Sequence, residues 1–224
     1  MDIVDTFFNW SVLQSSLPLL LLGLGTTLSL GVTSIVIGLV AGLFLALLRL
    51  YGPKPLAVLA VGYIDLFRAI PILVLLVLIY YALPFVGIRL SPFAAATSAL
   101  SLVSCAYAAE IFRSGIQAVP RGQFEASQAL GLKFWGMMWH VVLPQAFRLV
   151  IPPITNNCIN VMKDTALASV VAMPDLLKQA TQAQALAANP TPLIGAAVIY
   201  LLLLLPMVRI VGSLEKRFAI GHRK

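Results

Sequence analysis

Charge is what this chain has least of. Only 8 of its 224 residues are Asp or Glu, 15 are Lys or Arg, and charged residues make up 10% of the total. A soluble globular domain carries about 25% charged residues, so composition argues against that class. Cysteine and histidine are scarce too, with two of each. Cys105 and Cys158 lie in apolar stretches without metal-type spacing, which excludes a disulfide framework and reads them as small buried hydrophobes. His140 and His222 are isolated, so neither a metal centre nor a catalytic base is expected. No Gly-Lys pair occurs, so the Gly-x4-Gly-Lys-[Ser/Thr] phosphate loop is missing and any ATP chemistry must come from another chain.

What the chain has is oil, since 60% of its residues are hydrophobic. Several apolar runs are long enough to cross ~30 Å of hydrocarbon, which makes this an all-α integral membrane protein. The first run, Leu17 to Leu48, would extend roughly 48 Å as a helix. Its small residues Gly23, Thr27, Gly31, Ser34, Gly38 and Gly42 recur mostly every fourth position, a spacing that lets another helix come close. Further spans are expected near Leu56 to Leu83 (split by "DLFRAIP"), Pro92 to Phe112, Phe147 to Ala168 and Pro192 to Val211, about five in all. The polar "PDLLKQATQAQALAANP" has helical composition but too little apolarity to span. The opening "MDIVDTFFNW" has acids where a secretory signal carries positive charge, so it is expected to stay in the mature protein.

Basic residues set the expected orientation. With the N-terminus outside and the C-terminus cytoplasmic, eleven Lys or Arg fall inside, against Arg89 and Lys178 outside. The net charge of +7 is thereby explained without nucleic acid. The expected organisation is an extracytoplasmic tail over 1–16, a transmembrane domain over 17–213 and a basic cytoplasmic tail over 214–224. The insert at about 120–144 then faces the cytoplasm. It combines helix formers in "QFEASQALG" with an aromatic and Met-rich patch, Phe134, Trp135, Met137, Met138 and Trp139. Such a segment suits the groove of a soluble partner, and equally suits an interfacial helix anchored by tryptophans.

The fourth span is the polar one. At helical spacing Pro153, Asn157, Asn160 and Asp164 share a face, with Asn156 and Lys163 at its edge. Polar groups at membrane depth face a wet cavity or another helix, so the stripe reads as a substrate pathway or as inter-helix glue. Arg68 and Glu110 lie toward the cytoplasmic ends of their spans and are candidates for a gating or purely structural ion pair.

One insert carries a family resemblance. Glu125, Ala126 and Ser127, then Gly131 after three residues and "VVLP" ending in Leu143 and Pro144, resemble the E-A-A-x3-G-x9-I-x-L-P signature of membrane subunits of bacterial ATP-binding cassette importers. Ser127 and Val141 depart from it conservatively. Together with "FRAIPILVLLVLIYY", "AYAAEIFRSGIQAVPRGQFEAS", "LPQAFRLVIPP" and "KDTALASVV", the chain is similar to the polar amino acid permeases. The resemblance implies a type I importer permease fold in the bacterial inner membrane, with Glu125 to Gly131 as a coupling helix. It also implies two ATPase subunits that use ATP and Mg, a second permease subunit, identical or sister, and an extracytoplasmic solute-binding protein. No cofactor is expected on this chain, which is a permease and not an enzyme. The family's pocket lies on the fourth span, which puts Asp164 and Thr165 with Asn157 and Asn160 in the pathway of an amino acid. An ion-coupled secondary transporter or channel, and a type I permease for another solute such as methionine, stay open as alternatives.

Overall fold

A computed structural model describes residues 3–219. Among them there is no strand, and the helices follow in the order α1 (Ile3–Phe7), α2 (Trp10–Tyr51), α3 (Lys54–Ala69), α4 (Ile72–Val77), α5 (Pro92–Gln117), α6 (Arg121–Ala129), α7 (Phe134–Met137), α8 (Leu143–Asp164), α9 (Leu176–Ala187) and α10 (Thr191–Ala219). The end of the expected basic tail, 220–224 with His222, Arg223 and Lys224, lies outside the described residues.

Helix α2 starts at Trp10, before the apolar run, because Asn9 caps it: its side-chain oxygen accepts from the Val12 N–H. Three helices, α2, α5 and α10, are long and apolar enough to cross a membrane. The expected second span is a fourth only if its two halves count together, since α3 and α4 are bent by 101°. Pro71 causes the break. It disfavours the helical region for Ile70, which is extended at φ −76°, ψ 131°, and it brings no N–H to continue the ladder. Helix α8 has 22 residues, about 33 Å, but its Arg, Asn, Lys and Asp side chains keep it out of the strongly apolar group.

The bundle is built on the seam between α2 and α5. All six small residues of α2 are buried, while Leu21, Leu22, Val32, Val36, Val40 and Phe44 point outward. Outward apolar side chains also cover α10, as befits helices facing lipid. A Cβ on Gly42 would sit 2.7 Å from the Ala108 Cβ and 2.9 Å from the Cys105 carbonyl oxygen. A Cβ on Gly38 would meet Ser104 Oγ at 2.5 Å. The two backbones therefore touch along a line that admits no side chain. Leu30, Leu75, Leu76, Ala99, Leu100, Ala168 and Val171 form the main apolar core beyond that seam.

Helices α3 and α4 lie along the other flank of α5, with Tyr63 Oη donating to the Leu102 carbonyl at 3.0 Å. Helix α8 packs on α5 and α10, and α9 lies across α2 and α10. Arg49 at the end of α2 pairs with Glu110 of α5. Counting back along α2, Gly38 lies about 16 Å from the backbone of Arg49, near the middle of a ~30 Å hydrocarbon layer.

The seam makes a testable demand. Gly42→Val forces α2 and α5 apart and is expected to cost about 1–3 kcal/mol, read as a lower midpoint of thermal unfolding in detergent. Gly25→Val, where an added Cβ meets nothing within 4 Å, is the control and should leave the midpoint in place.

Candidate functional site

Two features stand out from the apolar scaffold, a projecting elbow at the Arg49 end of the bundle and a polar cavity in its middle. The elbow is α6 with the turn that follows it. Helix α6 begins after Pro120 and stops in a Schellman motif. The Leu132 N–H donates to the Ser127 carbonyl at 3.1 Å and the Gly131 N–H to the Gln128 carbonyl at 2.9 Å. Gly131 holds φ +74°, the left-handed conformation this motif requires, which a side chain there would strain.

Glu125, Ala126 and Gly131 are exposed on the elbow, and Leu130 is 81% exposed. Ser127 faces the bundle, and its hydroxyl donates to the Gln123 carbonyl at 2.6 Å. A small residue with its own backbone acceptor thus fills the position where the signature has Ala. The aromatic and Met-rich patch divides in two. Met137 and Met138 are buried with Ile116, Val119 and Val142, whereas Trp135 and Trp139 are 71% and 68% exposed. Leu143 belongs to the root of this cluster, and Pro144 lies at the start of α8 directly after a π-helical turn, Met138–Val142. The elbow is therefore rooted by one apolar cluster that also takes in Leu47 and Leu50 of α2.

The cavity has a volume of about 230 Å³. That is below the ~300–1,000 Å³ of a drug-sized site and suits a small solute. Asn157, Asn160, Lys163 and Asp164 of α8 line it, facing Ser104 and Tyr107 of α5 and Ile72 at the start of α4. Asn157 is buried and its Nδ2 donates to Ser104 Oγ at 3.2 Å. Because Ser104 packs on Gly38, this hydrogen bond lies near mid-membrane depth. Asn160 and Asp164 continue the stripe one and two turns further along α8, away from the Arg49 end. Tyr107 borders the opposite side, one turn toward that end.

Two sequence expectations are corrected here. Thr165 does not reach the cavity: it is fully buried, its hydroxyl donates to the Met162 carbonyl at 2.7 Å, and its methyl group packs toward Gly31. The helix tightens into a 3-10 segment, Thr165–Val171, which turns this residue toward α2. Arg68 and Glu110 do not pair. Glu110 is taken by Arg49 at 2.7 Å and by Arg113 one turn on, and Arg113 also bonds Gln117. The Arg68 guanidinium lies instead over the Tyr107 ring, 5.5 Å from its centroid. Sequence reading missed Arg49 because the pairing joins positions 61 apart, which no local spacing displays.

A further polar node was not visible in the sequence. Asp175 is fully buried where α9 crosses α2, and its Oδ1 caps α9 by accepting from the Lys178 N–H at 3.0 Å. Thr27 Oγ1 accepts from the Leu176 N–H at 3.0 Å beside it. Asp175 Oδ2 is buried there without a hydrogen-bond partner among the described residues. Burial pushes the Asp175 carboxyl up to about 6, against the opposing pull of the backbone N–H groups of Lys178 and Leu177.

Comparison with known proteins places this architecture among transport components. The family model for the binding-protein-dependent transport system inner membrane component matches residues 34–220. The chain is 37% identical over 211 residues to the arginine transport system permease protein ArtQ of Bacillus subtilis strain 168, covering 93% of this chain and 96% of that one. It is 36% identical over 221 residues to the glutamate/aspartate import permease protein GltK of Escherichia coli O6:H1, with 95% and 99% covered. A crystal structure of an amino acid ABC transporter with histidines matches with a TM-score of 0.87 at 37% identity, over 93% of this chain and 98% of that chain.

The Asp175 node predicts a pH dependence. Its folded-state carboxyl titrates above the ordinary value of 3.8, so its contribution is full below about pH 4 and is lost as pH rises through about 6. Asp175→Asn keeps the cap and removes the titration. Between about pH 4 and pH 7 the wild type should lose roughly 6–12 °C of unfolding midpoint relative to this variant. Parallel curves for the two proteins would refute the assignment.

Proposed function

The chain belongs to the binding-protein-dependent transport system inner membrane components, and from that premise we propose that it forms the translocation pathway of an ATP-driven amino acid importer. It resides in the inner membrane as a multi-pass permease and is not an enzyme, because ATP hydrolysis in this family is carried out by a separate chain. The observation that supports the amino acid reading is the cavity, in which one polar stripe of α8 meets Ser104 and Tyr107 inside an otherwise apolar bundle.

The solute passes beside Asn157, Asn160 and Asp164. The Asp164 carboxylate supplies an anion for an α-ammonium group, and the amides supply donors and acceptors. The Arg49 end faces the cytoplasm, which puts the elbow at the inner surface. Two ATPase subunits, using ATP and Mg, dock on the elbows of this chain and of a second permease subunit. A solute-binding protein delivers the amino acid from the other side.

Coupling runs through the elbow. Closure of the ATPase pair displaces Glu125, Ala126 and the Gly131 turn, and the cluster beneath them passes the movement to α2, α5 and α8. The stroke does work only if the inward-open and outward-open states bind the ATPases differently in their nucleotide states.

Two substitutions test this. Gly131→Val places a branched side chain at φ +74° and is expected to leave membrane insertion intact while uptake falls about tenfold relative to ATP hydrolysis in the reconstituted transporter. Uptake that stays coupled would remove the elbow from the mechanism. Asp164→Asn is expected to lower uptake about tenfold or more with assembly unchanged, since a charge-assisted contact is lost. Unaltered uptake kinetics would take Asp164 out of the pathway.

A further inference from the structure

The basic side chains around the cavity are not equivalent. Arg49 and Arg113 share the Glu110 carboxylate. These are the ion pairs among the described residues, so the Arg68 guanidinium has an aromatic face beneath it and no carboxylate in direct contact; the anion whose charge it shares is Glu110, which two other arginines already hold. It is exposed on the last turn of α3, and the chain breaks at Pro71 immediately after it. Across that break Ile72 lines the cavity, and Tyr107 under the guanidinium lines it too.

The depth of this group gives the arrangement meaning. Tyr107 lies one turn from Ser104, at mid-membrane, and one turn from Glu110, at the ion-paired end. Arg68 is therefore a cation held inside the membrane profile beside a polar cavity. Arginine at such depth is costly unless an anion meets it. Its planar fork matches a carboxylate in two-point contact, which a lysine cannot reproduce. The cavity's other end carries the Asp164 carboxylate, about 10 Å along α8 from Asn157. Lys163 stands beside Asp164 in the lining, whereas Arg68 lies outside it and borders the cavity through Tyr107.

We propose that Arg68, held over Tyr107, is the residue that selects the α-carboxylate of the solute, so that the cavity reads a zwitterion by its two ends. This rests on the reading of the cavity as the amino acid pathway and adds to it the group that recognises the acid function. The stacking on Tyr107 aims the guanidinium without using its N–H donors, leaving the fork free for a ligand. The role is specificity and not gating, because Glu110, the partner a gate would need, already has two arginines.

The test is binding to the purified permease–ATPase complex in lipid nanodiscs, without the solute-binding protein. L-Glutamine, L-arginine and L-glutamate are each compared with the analogue whose α-carboxyl is a carboxamide. Wild type is expected to prefer the carboxylate form of the solute it binds by about 30-fold or more. Arg68→Gln should reduce that preference to within about threefold, weakening the carboxylate form and sparing the amide. Arg68→Lys keeps the charge and is expected to lose part of the preference. Preference retained in both variants, or abolished by Lys163→Gln instead, would overturn the proposal and leave the amino acid pathway standing. Failure of wild type to bind any of the three amino acids would overturn the pathway reading itself.

Discussion

Hydrocarbon offers a polar group nothing to bond to, and the arrangement of this protein follows from that constraint. Each polar side chain at membrane depth has to meet protein or line a space that holds water. The α2–α5 seam meets the demand by contact. Gly38 and Gly42 bring the backbones so close that Ser104 and Cys105 are covered without any side chain from α2. The α8 stripe meets it differently, with Asn157 bonded to Ser104 and its other polar groups turned into one cavity. A tightly closed seam on one flank of α5 and a polar-lined space between α5, α8 and α4 are two answers to the same problem.

The charged groups sort by depth in the same way. Glu110 collects Arg49 and Arg113 about two turns from Ser104 toward the Arg49 end, so its charge is paired where it would otherwise be costly. Asp164, deeper, lies in the cavity wall, and Asp175 spends its carboxylate on capping α9. Arg68 lies over the Tyr107 ring, with no carboxylate in direct contact among the described residues. A guanidinium beside a polar cavity, with no carboxylate in direct contact among the described residues, is the feature on which the proposed carboxylate recognition rests.

The elbow shows how a local motif acquires mechanical meaning. A nine-residue helix is too short to persist by propensity alone. It is held by the Schellman bonds at Gly131 and by the cluster of Met137, Met138 and Val142 beneath it. The exposed Leu130 and Trp135 project from a packed base that also holds Leu47 and Leu50 of α2 and Ile116 of α5.

Much of this was legible in the residues themselves. The four-residue spacing of small side chains marked the buried face of α2, and helical periodicity marked Asn157, Asn160 and Asp164 as one stripe. The Glu125 to Gly131 spacing marked the elbow. These features are local, set by 3.6 residues per turn and by what lipid tolerates, and a linear chain displays them directly. Which charge meets which was not legible. Arg49 and not Arg68 reaches Glu110, Thr165 turns to α2 and away from the cavity, and Leu176 meets Thr27 across 149 positions of chain. Those outcomes depend on the 101° bend at Pro71, the 3-10 tightening after Asp164 and the path of α9 over α2. Such contacts come from the relative placement of whole helices, which is settled by packing many side chains at once and leaves no trace in the spacing of any one segment.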